Sequence, residues 1–177
     1  DIDSIAGLEA ILGKAPPAVN LKVIDHVDAN AVRWLAASPL MFAGFGDANG
    51  IAVTPGGGAP GFATAGPEML SIPLAMLDDP ALAQPGASFG SLFLVPGIGE
   101  TLRINGSVAA VADGTARIAV TECYVHCAKA LIRSGFWTAG PSDAVPATAG
   151  EFAASARFMA LATIDPAGQA DLSPKGD

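Results

Sequence analysis

The sequence predicts a mainly β fold with flanking helices, and three observations carry that prediction. Apolar runs of strand length recur from residue 40 to residue 122, each bounded by Gly, Pro, Asn or Asp. Helical periods fall outside that stretch, over residues 4–12, 28–37 and 123–134. One hairpin pattern occurs twice, at residues 40–58 and again at 158–177.

Ser4 precedes an apolar spacing of three and four through Leu12, and Gly13 and Pro16-Pro17 follow as stop signals, so residues 4–12 read as a short amphipathic helix. A second helix is expected from Asp28, which can cap it, through a stripe of Val32, Leu35 and Ala36 to Ala37, with Ser38-Pro39 ending it. The run from Leu40 meets the turn signal Asp47-Ala-Asn-Gly50 and continues into Ile51-Ala-Val53, a hairpin signature. Strands are expected at Met69–Ile72, Ser91–Val95, Thr101–Ile104, Ser107–Val111 and Ala116–Glu122. Six or seven short strands at this spacing suggest a closed barrel or a sandwich.

From Cys123 to Ser134 the period turns helical, with Val125, Ala128 and Ile132 on one stripe and Gly135 at the end. Residues 138–150 hold Pro, Gly, Ala and Ser with almost no charge and read as a linker. Beyond it, Phe158 to Asp177 copies the layout of Leu40 to Gly58: an apolar strand, Asp-x-x-Gly, then a strand closing on Ser/Thr-Pro-x-Gly. The copy stops at that motif where the first continues for about a hundred residues, so a tandem two-barrel protein is expected, of which these residues are part. The alternative is coincidence between two hairpins. The organisation expected is therefore a helical segment at 1–37, a β domain with its terminal helix at 38–137, a linker at 138–154 and the start of a second repeat at 155–177.

Composition removes several function classes. The chain is 51% hydrophobic and 15% charged, enough to bury a sizeable core. Its apolar runs fall short of the roughly 18–20 residues a membrane helix needs. A net charge of −8, from 9 Lys+Arg against 17 Asp+Glu, repels a phosphate backbone, so nucleic acid is not an expected partner. Two cysteines, Cys123 and Cys127, are too few for a disulfide framework and read as reduced thiols, which points to the cytoplasm.

Three segments together resemble the FMN-binding split-barrel family related to pyridoxamine 5'-phosphate oxidase. They are Ser173-Pro-Lys-Gly-Asp177, the run from Leu92-Phe-Leu-Val95 through Gly-Ile-Gly-Glu-Thr to Asn105-Gly106, and the run Glu122-Cys-Tyr-Val-His-Cys-Ala-Lys to Phe136-Trp137. The resemblance implies a split β-barrel, FMN-binding-protein-like, a homodimer, and FMN held between two barrels. It departs from the family at the first hairpin, where relatives carry Ser-Pro-Arg-Gly-Asp and this chain has Thr54-Pro-Gly56-Gly57-Gly58. A basic segment expected before the Leu92 strand is also replaced, by Ile72-Pro-Leu-Ala-Met-Leu-Asp-Asp79. Because Arg or Lys bonds to a phosphate are charge-assisted, the first repeat reads as degenerate and the second, which keeps Lys175, as the competent one.

The cofactor residues implied are Ser173, Lys175 and Gly176, with Thr54, Gly56 and Gly57 as the first repeat's counterpart, where glycine amides could still form an anion nest. In the family the segment after Glu122 lies near the cofactor of the partner barrel, which adds His126; its alternative role is a hydrogen-bonded junction. Lys129, Arg133 and Trp137 recur every four residues, so one helical face is expected to offer two cations and an aromatic to a phosphate and a flavin ring; a solvated basic helix end is the alternative. Arg103 alternates with Leu102 and Ile104 and is expected to face away from them in a salt bridge. A metal site from Cys123, His126 and Cys127 lacks a fourth ligand. Gly97-Ile-Gly99 is a turn, and His26 and His126 have no nucleophile elbow to serve.

The expected function is an FMN-dependent oxidoreductase acting on a small-molecule substrate, in which the protein positions the flavin. The alternative is a non-catalytic scaffold that binds flavin or haem or serves dimerisation. Pyridoxamine phosphate oxidation itself would need further basic residues for a second phosphate. The second hairpin, with unpaired edges, is expected to add to the first barrel or to pair across a dimer.

Overall fold

Along Leu40–Asp47 (β1), Met41, Ala43 and Phe45 point into one apolar cluster while Phe42, Gly44 and Gly46 face the other way, the alternation a strand imposes. Both faces are covered, and that double burial organises the chain. The computed structural model describes residues 2–14, 21–127, 129–140 and 145–176.

Seven antiparallel strands form one sheet in the order β2-β1-β5-β6-β7-β4-β3. They are β1, β2 (Gly50–Gly57), β3 (Thr64–Ala65), β4 (Met69–Pro73), β5 (Ser88–Leu94), β6 (Glu100–Ala112) and β7 (Thr115–Cys127). The sheet curls, because side chains from β1, β4, β5, β6 and β7 share one core around Phe89, Phe93, Leu70, Ile72, Ile104 and Ile118. Its two ends approach each other after β4, where Leu77 bridges Gly56 and the Asp78 N–H donates to the Pro55 carbonyl at 3.1 Å. Among the described residues no ladder joins β2 to β4, so the sheet is open.

Helix α1 (Ile5–Leu12) is capped by Ser4 and ends at Gly13 with φ 79, as its signals predict. None of its residues is buried. The expected stop at Pro16-Pro17 lies outside the described residues. Helix α2 (Ala29–Ala37) is capped by Asp28, but the buried stripe is Ala31 and Leu35, and Val32 is exposed. Trp34 turns the helix that way by donating its indole N–H to the Phe93 carbonyl at 3.1 Å.

Three expectations need correction. Thr101–Ile104 and Ser107–Val111 are one strand: Asn105-Gly106 is a bulge, and a side chain at Gly106 would collide with the Ala119 carbonyl. Cys123 to Cys127 is the end of β7, paired to β6, and the helix α3 is only Lys129–Ser134. The linker read over 138–154 contains the start of helix α4 (Ala149–Ser155), opened by a capping box between Thr148 and Glu151.

The second hairpin forms as read, β8 (Phe158–Ile164) with β9 (Ala170–Gly176), Ile164 opposite Ala170. It makes a separate two-stranded sheet. It lies across the outer face of β1 and β5, where glycine leaves room: a Cβ at Gly44 would come within 3.1 Å of Leu172, and one at Gly46 within 2.9 Å of Ile164. Leu172 completes a second apolar cluster with Leu92, Leu94 and Leu131, flanked by Phe42, Phe136 and Phe158. No helix among the described residues is long and apolar enough to cross a membrane.

Candidate functional site

Leu102 and Ile104 are buried in the main core, so Arg103 between them emerges on the outer face of β6, as its alternation predicts, and meets β9. Its Nη1 donates to Asp171 Oδ2 at 3.0 Å and to Tyr124 Oη at 2.9 Å, and its Nη2 donates to Ser173 Oγ at 3.0 Å. The Arg103 side chain is only 6% exposed, and a guanidinium held that far from water needs such partners. Asn105 extends the network, its Nδ2 donating to Glu122 at 3.0 Å and to Asp171 at 3.1 Å. Among the described residues Arg103 Nε and Asn105 Oδ1 have no hydrogen-bond partner. Burial raises the Tyr124 hydroxyl above its ordinary pKa, with the Arg103 hydrogen bond opposing.

Asp171, Ser173 and Lys175 alternate along β9 and share one face. The first two are fixed by Arg103, and the third reaches a cavity of about 400 Å³ shared with His126, Lys129, Arg133 and Arg157. Four of the chain's 9 Lys+Arg thus converge from three places in the fold: the α3 face, the segment entering β8, and the end of β9. Among the described residues no Asp or Glu lines this cavity, although the chain carries 17 of them. All four cations are exposed at its rim. Met159 and the buried Pro174 supply apolar wall.

The local folding that builds the cavity is legible in two glycines. Gly176 lies flat against the Ala130 carbonyl, which lets α3 seat on the end of β9. Gly135, with φ 58, stops α3 after Ser134 and leaves space for Arg157, whose Nη2 would be 3.4 Å from a Cβ there. His126 stands at the cavity edge with its pKa lowered, first by burial and then by the Arg103 charge, so its imidazole is neutral at neutral pH. A larger cavity of about 880 Å³ lies between the Asp47–Gly50 and Asp165–Gly168 turns, and its titratable lining is acidic, Asp47, Glu122 and Asp165.

Of the residues singled out in the sequence, Lys175, Gly176, His126, Lys129 and Arg133 are brought together here. Ser173 is beneath them, bound to Arg103. Thr54 is buried elsewhere, its Oγ1 accepting from the Asp79 N–H at 2.9 Å. Gly56 and Gly57 are ladder residues opposite Met41 and Leu40, and the Gly58 N–H donates to the Pro39 carbonyl, so this stretch is strand edge and not an anion nest. Trp137 is off the expected stripe because α3 ends before it; it sits in a 3-10 turn, edge-on to Phe136. No motif in the sequence marks Arg157. Its signal is the hairpin register: with Phe158 opposite Gly176, the residue before β8 must fall beside the end of β9.

No family model matches the chain, and no curated protein matches it.

Proposed function

We propose that the chain binds a phosphate-bearing flavin, FMN, at the basic cavity and serves as an FMN-dependent oxidoreductase. The single observation that carries the reading is the convergence of Lys129, Arg133, Arg157 and Lys175 on a cavity with no carboxylate among its described lining, in a chain of net charge −8. Clustered like charges repel one another, and a dianion that accepts charge-assisted hydrogen bonds relieves that repulsion.

The residues fit the phosphate end of FMN. Lys129 and Arg133, one turn apart on α3, line the cavity together with Lys175 and Arg157. They do not enclose the ring: Met159 and Pro174 offer an apolar edge, and among the described residues no Phe, Tyr or Trp lines the space. A second copy of the chain closing over the open side would supply the remaining wall, which ties the reading to a homodimer. When bound, the flavin would supply the redox chemistry, and the protein's part would be to hold the phosphate with the four cations and to present His126 beside it. The split-barrel reading is supported by the curled sheet, its shared core and the Gly56–Leu77 bridge at its seam.

A non-catalytic flavin-binding scaffold is the second reading, favoured by the first hairpin, whose Thr54–Gly57 strand carries no basic residue. The test is titration of FMN and of riboflavin, followed by flavin fluorescence, with size-exclusion chromatography alongside. Binding of FMN at least tenfold tighter than riboflavin supports the phosphate site. Equal binding, or none, overturns it. Reduction of bound FMN by a nicotinamide donor separates the oxidoreductase from the scaffold.

A further inference from the structure

We infer that Arg103 is a positioning residue of the basic cavity, acting through β9 to place Lys175; the inference rests on the reading of that cavity as an anion site. Arg103 does not line the cavity, and no part of its guanidinium is offered to a ligand there. Both terminal nitrogens are spent on β9, Nη1 on the Asp171 carboxylate and Nη2 on the Ser173 hydroxyl, two residues apart on the same face. Lys175 is the next residue on that face.

Among the described residues the hairpin's one other side-chain hydrogen bond to the sheet, from Asn105 Nδ2 at 3.1 Å, falls on the same Asp171 carboxylate and does not reach Ser173. Among the described residues β8 and β9 pair only with each other, so their backbone register is independent of the seven-stranded sheet. The apolar contacts of Leu172 hold the hairpin down but are not directional. A planar guanidinium bonded at two points is directional, and it fixes how far β9 slides along β6 and hence where the Lys175 ammonium stands relative to Lys129 and Arg133. Tyr124 Oη, at 2.9 Å from Nη1, and the Tyr124 ring, whose centroid is 5.6 Å from Arg103 Cζ, keep the guanidinium from turning away.

The test is a double-mutant cycle on FMN affinity with Arg103→Lys and Lys175→Gln. Lysine keeps the charge and loses the two-point grip. If Arg103 works through Lys175, Arg103→Lys weakens FMN binding about tenfold in the wild-type background and less than about twofold once Lys175 is Gln, as expected of coupled positions. A loss of equal size in both backgrounds would show a general structural effect and overturn the proposal while leaving the cavity reading intact. Failure of the wild-type protein to bind FMN removes the cavity reading and the proposal with it. If Arg103→Lys does not fold, Asp171→Asn takes its place in the same cycle, since Asp171 is the other half of the grip and is outside the cavity. Its effect must likewise vanish in the Lys175→Gln background, and persistence there overturns the proposal.

Discussion

Gly176 at the end of β9 rests against the carbonyl oxygen of Ala130 in α3, so closely that a methyl group at 176 could not be accommodated without moving one of the two elements. These elements carry three of the four cations of the basic cavity. Gly176→Ala is therefore expected to destabilise the fold by about 1–3 kcal/mol, as overpacking does. For a chain of this length that is a fall in Tm of roughly 2–12 °C by calorimetry. FMN affinity falls with it, and an unchanged Tm would mean that α3 and β9 are not in contact in solution.

The four cations should reveal themselves through salt and through one another. Lys175→Gln, Arg133→Gln and Arg157→Gln are each expected to weaken FMN binding about tenfold, with little effect on riboflavin. All four are exposed, so raising salt should mimic these changes by screening. With FMN absent, each substitution should leave Tm unchanged or raise it, because like charges repel. A substitution that lowers Tm without affecting FMN would place that cation in a structural contact instead.

Element by element, the strands were legible because a period of two and turn residues are local. Where the chain departs from expectation, the cause is tertiary. Asn105-Gly106 has turn composition, yet Gly106 is needed because the Ala119 carbonyl crosses at that point, which converts the turn into a bulge. Cys123 to Cys127 carries a helical period, but its backbone is taken by pairing with β6 from Glu100 to Ile104. Thr148-x-x-Glu151 was a readable capping signal hidden by the linker composition around it. For the site, Lys175 and the α3 cations were visible as motifs. Arg157 and the grip of Arg103 on Asp171, 68 residues away in sequence, follow only from where the hairpin docks.

His126 gives the protein a pH dependence of definite sign. Its folded pKa lies below the ordinary 6.5, because burial and the Arg103 and Lys22 charges outweigh Asp171 and the hydrogen bond to the Cys127 carbonyl. The unfolded chain therefore binds the proton more readily. Its stabilising contribution is whole above 6.5 and is lost as pH falls from there through the lower folded value. Melting temperatures measured from about pH 7.5 down to about pH 5 should fall more steeply for the wild type than for His126→Gln. Parallel curves would show that His126 titrates as it does in the unfolded chain.

The two cysteines should differ sharply in reactivity. Cys123 is 2% exposed at the end of the main core, and burial, aided by the Asp28 charge, pushes its thiol up to about 11. Cys127 is exposed and stands in the wall of the basic cavity. An anionic aromatic disulfide reagent is drawn to that cavity, so it should modify Cys127 alone in the native protein and both thiols in denaturant. Salt should slow the native reaction, and FMN should slow it further by occupying the cavity. Cys127→Ser should abolish native labelling while preserving one reactive thiol in denaturant. If FMN binds yet leaves the labelling rate of Cys127 untouched, the flavin is held somewhere other than between Lys175 and α3.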